Sequence, residues 1–447
     1  MKKCTYLMML MALLVSCNDD DYDPLGPSIV DDQLLEILQS VSNNEGVSYF
    51  ILPDSEDFSK IPQDPLNPLT KEKVELGKLL IHETATGGSP KFSKMKGTYS
   101  CVSCHHAAAG FAAGIRQGKG EGGSGFGIRG EGRVIAEGMP IDMLDIQPIK
   151  SPTILNVAYQ DIMLWNGQFG GTGTNAGTEI GWTNIPENNL GHQGVEVQAI
   201  KGQGVHRIKV DEEFVNTFGY KNLFDAAFPS VEEEDRYSTH NAALAIAAYE
   251  RTLLANQAPW QEWLKGNYKA MNDAEKRGAI AFFSKGKCYE CHSGPALNDV
   301  AFYAFGMGDF DNASDAIVTD MEGFDRVKKG RGGFTKNAND NYKFKTPTLY
   351  NIADHGFYGH GGTFTSVKDV VTYKNKGVPQ NNEVPKESLA PQFGNIELSE
   401  KDIIDITAFI ESGLKDPNLT RYVPEKTGSG NCFPNNDEQS KIDTGCD

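Results

Sequence analysis

Positive charge is scarce in this 447-residue chain: 42 Lys and Arg stand against 60 Asp and Glu, a formal net charge of −18. That excludes a broad basic face for nucleic acid and fits a cationic partner or a well-solvated surface. After the N-terminal segment no run is apolar enough to span a bilayer. Runs with the two-residue period of a strand are rare, which argues against a sheet-built domain. Histidine is sparse at nine, and residues 107–164 contain none.

Cysteine is also sparse, at eight, but its placement is informative. The chain opens "MKK", continues with the short apolar run "YLMMLMALLV", and reaches "LLVSC" at Cys17. This resembles a lipoprotein signal peptide (1–17) whose lipobox Cys17 is lipidated after cleavage; Cys4 lies in the removed part. The acidic "NDDDYD" that follows reads equally as a surface-export signal or as the start of a solvated tether, residues 18–48. The expected location is the outer membrane, on its periplasmic or cell-surface side, held by acyl chains. Disulfides are then allowed, and Cys432 and Cys446 are expected to pair in a polar tail, 426–447.

Between tether and tail the pattern is mainly helical, with long Gly-rich connections (48 glycines in all). Thr70 is placed to cap a helix through "KEKVELGKLL". A helix is predicted over 240–254, with Ile246, Tyr249 and Leu253 on one face. Asn272 and Glu275 have capping-box spacing, as do Ser399 and Asp402. "KSPTILN" (150–156) is echoed by "KTPTLYN" (345–351), and each echo follows a Cys-x-x-Cys-His motif. Trp165 and His360 sit equally far beyond the two echoes. Duplication is the better reading, giving domains at 49–235 and 236–425.

Those motifs are "CVSCH" (Cys101, Cys104, His105) and "CYECH" (Cys288, Cys291, His292). Cys-x-x-Cys-His is the attachment signature of c-type haem: two thiols add to the vinyl groups and the histidine ligates iron. Zinc is a weaker alternative, because structural zinc sites gather their ligands within one small module. A redox dithiol lacks the surrounding βαβ pattern. Two covalent haems follow, with His105 and His292 as proximal ligands. His106 reads as a surface residue or a propionate contact. Gly118, Gly120 and Gly123 spell G-x-G-x-x-G, but without a preceding strand they indicate a loop over the first haem, not a dinucleotide site.

Together with "NPLTKEKVELGKLL", "SPTILNVAYQDIMLWNG", "VQAIKG", "RGAIAFFSKGKCYECHSGPALND", "FKTPTLYN" and "FYGHGGTFTSVKDVV", the motifs resemble the bacterial dihaem cytochrome c peroxidase family, which includes MauG-like enzymes, over roughly residues 65–415. The resemblance implies two cytochrome c-like domains, an N-terminal peroxidatic haem and a C-terminal electron-transfer haem. It places Trp165 between the haems and makes Gln198 the distal-pocket glutamine. Where the family's catalytic glutamate is expected this chain reads "HRI", so His206 is the candidate replacement, a group able to take and return a proton near neutral pH.

The chain departs from the family elsewhere. No histidine follows the first motif to serve as a distal ligand, so that haem is expected to be five-coordinate, or weakly capped by water or by Met139 or Met143. In the helix after His360, Lys374 stands at the expected Met ligand, beside Tyr373. Either would lower the reduction potential relative to Met. The family's interdomain calcium is in question, because Lys150 replaces an Asn ligand and its ammonium would substitute for the ion's charge. Arg207 and Arg251 are candidates for propionates or for buried ion pairs. His82, His192, His240 and His355 read as structural or surface residues.

The implied activity is reduction of hydrogen peroxide by electrons from a small donor protein, a cytochrome c or cupredoxin. Two alternatives remain. One is a MauG-like oxidase using a high-valent dihaem state on a protein or small molecule. The other is a non-catalytic electron-transfer cytochrome. A homodimer is compatible with the family, and no nucleic acid partner is expected.

Overall fold

The computed structural model describes residues 26–318 and 321–446. The expected signal segment with Cys17 lies outside the described residues. Among the described residues no helix is long and apolar enough to cross a membrane.

Helix starts are set locally, by side chains that accept the first free N–H groups. Ser28 opens α1 (Ile29–Val41), with Asp31 completing a capping box. Thr70 caps α2 (Lys71–His82) through Lys73 N–H. Helix α3 (Gly194–Val205) follows a long stretch of loops and single turns. Ser238 caps α4 (Thr239–Arg251), and Asn272 with Glu275 boxes α5 (Asp273–Phe283). Ser366 caps α6 (Val367–Lys376). Ser399 with Asp402 opens α7 (Glu400–Ala408), which runs on as a π turn, Phe409–Gly413. Among the described residues, strands form only two short antiparallel pairs. β1 (Gly123–Ser124) pairs with β2 (Val134–Ile135), and β3 (Phe302–Tyr303) with β4 (Phe344–Lys345). The protein is mostly helical.

Two helix pairs repeat one contact. In α2, a Cβ at Gly77 would overlap the carbonyl of Ala245 in α4 and come within 2.9 Å of Tyr249 Cβ. In α5, a Cβ at Gly278 would overlap the carbonyl of Asp405 in α7 and come within 2.8 Å of Phe409 Cβ. The echo segments follow suit. Asn156 N–H donates to Leu253 O (2.7 Å) and its side chain accepts from Ala255 N–H (3.0 Å). Asn351 N–H donates to Leu414 O (3.2 Å) and its side chain accepts from Asp416 N–H (3.0 Å). Both asparagines sit at positive φ, 59° and 55°, a conformation Asn tolerates better than most residues.

The structure bears on three expected limits. The tether is shorter than 18–48: α1 packs into the core through fully buried Leu34 and Leu38. Asp31 also accepts from Trp263 Nε1 (2.7 Å) and pairs with Lys276 Nζ (2.8 Å). Helix α4, which lies beyond the expected limit at 235, packs on α2 where Gly77 meets Ala245 and Tyr249. Residues 426–446 are not a free polar tail. Phe433 packs on His82, Asn435 is fully buried, and Asp437 accepts from Ser124 and Gly125. Cys432 and Cys446 form a disulfide within this docked segment.

Candidate haem centres and the junction between them

Each Cys-x-x-Cys-His motif opens with one tight turn. Cys104 N–H donates to Cys101 O and Cys291 N–H to Cys288 O, both at 3.2 Å, so each pair of thiols is gathered beside its histidine. The next contact is also repeated. His105 Nδ1 lies 3.4 Å from Phe111 O, and His292 Nδ1 lies 3.1 Å from Leu297 O. Those acceptors are held at positive φ, 57° and 47°. The carbonyl just before each accepts from an echo threonine: Thr153 to Gly110 O (2.7 Å) and Thr348 to Ala296 O (2.8 Å). A carbonyl at Nδ1 fixes the proton there and leaves Nε2 as the free lone pair, the arrangement of a metal-ligating histidine.

Electrostatics agree with that arrangement. Burial, aided by the His206 charge, pushes His105 down to about 4. Burial, aided by Lys374, pushes His292 down to about 3. Both rings are therefore neutral and able to donate to a metal. The four motif cysteines are unpaired, and burial pushes Cys101 and Cys104 up to about 12 and Cys288 to about 11. Thiols held protonated by burial do not suit a thiolate zinc site. Beside the second motif lies a large cavity walled by Phe282, Val371, Ile406 and Ile410. The donor set and this apolar chamber fit covalently bound haem. Among the described residues no group of three or more His, Cys, Asp or Glu is arranged to hold a metal ion, so no acidic calcium cluster is present there.

Near the first motif, one face of α3 carries Gln198 and Gly202 and ends at His206. A Cβ at Gly202 would lie 3.6 Å from Gln198 Nε2 and 3.8 Å from His206 Cδ2; glycine leaves the space between the two side chains open. Gln198 Oε1 is buried without a hydrogen-bond partner. His206 Nδ1 is held at 2.9 Å by Asp145 Oδ2, a carboxylate only 4% exposed. Burial alone would lower the His206 pKa, but the Asp145 charge and hydrogen bond prevail over it and over Arg207, and the net shift is upward. Arg207 itself pairs with buried Glu121 at 2.7 Å.

The Gly-rich segment is the wall behind this dyad. A Cβ at Gly120 would overlap the Asp145 carboxylate, and one at Gly118 would come within 2.8 Å of Cys104 Sγ. Met139 packs with Tyr99, Leu144 and Ile208 in a separate apolar cluster, and Met143 lies against it. His106 is neither a surface residue nor free: it is buried, its Nε2 lies 3.2 Å from Ala113 O, and its ring packs edge-on to Phe126. Of the remaining histidines, His82, His192 and His355 are buried and His240 is exposed. His355, however, lines the second cavity with Nε2 unpartnered.

At the second motif the structure separates the two candidate ligands. Lys374 lines the cavity, with its ammonium over the Phe305 ring. Tyr373 does not: its hydroxyl donates to Phe305 O (2.7 Å) and its ring packs on Phe364 and Phe393. Met307, which sequence reasoning did not single out, also lines the cavity.

Trp165 and His360 lie on corresponding loops, bridged by Met163–Phe169 and Tyr358–Phe364, and the loops meet. Their ring centroids are 6.3 Å apart. Lys150 N–H donates to His360 O (2.9 Å), and Lys345 N–H to Trp165 O (2.7 Å). Trp165 Nε1 donates to Lys150 O (2.8 Å), and His360 is pinned by Asp309 (3.0 Å) and stacked on Phe344. Asp145, Lys345 and Asp309 were not apparent as site residues, because each acts through a partner distant in sequence. Only the echoed lysines left a signal.

The chain as a whole is similar to several known proteins. The profile of the family described as di-haem cytochrome c peroxidase matches residues 71–269. Cytochrome-c peroxidase IdrP1 of Denitromonas iodatirespirans is 28% identical over 369 residues, 79% of this chain and 83% of that protein. The methylamine utilization protein MauG of Methylorubrum extorquens is 28% identical over 359 residues, 80% of this chain and 82% of MauG. Among solved structures, a MauG-like protein associated with microbial copper homeostasis shares the fold with a TM-score of 0.55. It is 21% identical, covering 82% of this chain and 95% of its own.

Proposed function

We propose that the chain, which is similar to di-haem cytochrome c peroxidases and to MauG, is a member of that family and reduces hydrogen peroxide to water. One peroxide, two electrons and two protons give two waters. Cys288, Cys291 and His292 would hold a C-terminal haem able to take electrons from a small donor protein, Cys101, Cys104 and His105 would hold the N-terminal haem, and Trp165 would assist transfer between them. The observation that carries this reading is the His206–Asp145 dyad beside Gln198, whose buried amide oxygen has no partner, near the first motif; in another histidine–carboxylate pair, His360–Asp309, the ring is stacked on Phe344 beside Trp165.

The haems, when bound, supply the electrons and the iron at which the O–O bond breaks. The chain's own residues manage the protons. Neutral His206 takes a proton from peroxide at Nε2, Asp145 stabilises the imidazolium, and the same proton is returned to the departing oxygen. Gln198, with an unpartnered amide oxygen, holds peroxide by accepting its O–H. The test is turnover of peroxide by purified holoprotein with a reduced cytochrome c or dye as donor. Steady oxidation of the donor is expected, and no turnover in either diferric or half-reduced protein would refute the reading.

A second reading rests on Lys374, the side chain that lines the cavity where a Met ligand is expected. If it served a bound haem as an amine ligand it would lower that haem's potential relative to Met and favour MauG-like oxidation of a protein or small molecule. Peroxide added to diferric protein then produces a new optical spectrum before any reductant is present. The matched helix pairs and echo contacts support duplication, with units of about 49–255 and 256–425. Anchoring at the outer membrane through Cys17 rests on the N-terminal sequence, and Lys150 in place of an Asn ligand supports a centre without calcium.

A further inference from the structure

The two arginines that sequence suggested for the propionates are engaged elsewhere. Arg251 is gripped at both ends by Glu196 (2.8 and 2.6 Å) and Arg207 by Glu121. Two buried lysines have no such partner. Lys150 is 3% exposed and Lys345 is 7% exposed. Among the described residues neither forms an ion pair with a carboxylate. Lys150 Nζ reaches only Ser151 O at 3.4 Å, and Lys345 Nζ meets the neutral side-chain amide of Gln160. A buried ammonium without an anion is strongly disfavoured. Burial accordingly pushes both lysines down to about 8.

Both lysines line the cavity that also borders Cys288, Cys291 and His292. Each half contributes one, from the first position of its echoed heptad. Their backbones are fixed from opposite sides by the crossed bonds to His360 and Trp165. A c-type haem held by that motif brings two carboxylates into the same chamber.

We propose that Lys150 and Lys345 are the paired counter-cations for the two propionates of the C-terminal haem. This rests on the dihaem reading above. It assigns the junction a role beyond packing: the second haem is clamped by a charge from each half, next to Trp165. A fixed positive charge near the iron favours the reduced state, so the pair holds the midpoint potential up against whatever axial ligand is present.

The test uses intact holoprotein bearing Lys150→Met, Lys345→Met or both, with haem content measured chemically and each haem titrated by spectroelectrochemistry. Each Met variant lowers the midpoint of the C-terminal haem, changing its oxidised-to-reduced ratio at fixed potential by about tenfold, or ~59 mV for one electron. Lys→Arg variants keep the charge and the wild-type midpoint. If the doubly substituted protein retains two haems and turns over peroxide with an unchanged C-terminal midpoint, the pairing is wrong and the peroxidase reading survives. If midpoints move as expected but wild-type protein never reduces peroxide, the pairing survives and the peroxidase reading fails. Should the Met variants not assemble, the Arg variants decide: wild-type midpoints support the pairing and a fall overturns it.

Discussion

Asp145 touches none of the residues that sequence reasoning marks for ligation, yet it sets the behaviour of one that matters. The imidazole of His206, 38% exposed, rests against it, and its pKa stands above the usual value despite desolvation and Arg207. A base must be neutral to accept a proton, so kcat/KM for peroxide rises with pH through that raised pKa. In Asp145→Asn the carboxylate is lost while the shape is kept. The His206 pKa falls, the acid limb moves to lower pH, and the plateau drops by less than about tenfold for each pKa unit of lost basicity, as a partial Brønsted dependence requires. Steady-state rates across pH measure both effects; a limb that stays in place removes Asp145 from the mechanism. Stability moves the opposite way with pH. A raised imidazole pKa contributes stability that is full below about 6.5 and is lost as pH rises through the folded-state value. Urea melts of Asp145→Asn lose that dependence.

At the level of elements, the helices were legible because their signals are local. Thr70, Asn272 and Ser399 each bond N–H groups two or three residues away, and no distant contact is needed to place them. The two helix pairs were less legible, since nothing in "VELGKLL" or "KRGAIAF" names a partner. Gly77 and Gly278 carry that information as missing atoms, and only the assembled pairs reveal it. In isolation Gly→Ala in a helix stabilises by about 1 kcal/mol. Here the added methyl overlaps a carbonyl of the facing helix, and overpacking of this kind costs about 1–3 kcal/mol. Gly77→Ala and Gly278→Ala are therefore expected to destabilise by similar amounts, read from chemical denaturation of holoprotein. A gain in stability at either site would mean that the helices slide apart freely and that the matched contact is not a constraint.

Across the whole molecule, what sequence missed is long-range closure. The haem motifs were plain because covalent chemistry dictates their spacing. The docking of α1 was hidden because Asp31 meets Trp263 and Lys276 from the far side of the chain. The C-terminal segment was hidden for the same reason: its polar composition reads as solvated, yet its polar groups are satisfied by the N-terminal half. Pro434 O accepts from Ser100 Oγ (3.0 Å), next to Cys101, and Asn436 N–H donates to Thr98 O (3.0 Å). Asp437 and Asp443 accept from the backbone N–H groups of residues 125–127. The segment is thus a strap over the first centre, closed on itself by Cys432–Cys446 at a separation of 14 residues. Closing a loop of that length contributes about 3 kcal/mol in the chain-entropy account. Cys432→Ser with Cys446→Ser is expected to lower stability by about 2–3 kcal/mol. Truncation after residue 425 is expected to go further in a directional way: the optical and EPR signals of the N-terminal haem change, while those of the C-terminal haem, which the strap does not touch through these bonds, stay as they were. Amide exchange speeds up at 97–103 and 120–133 and not at 288–297. Equal perturbation of both haems, or of neither, would show that the strap is not specific to the first centre.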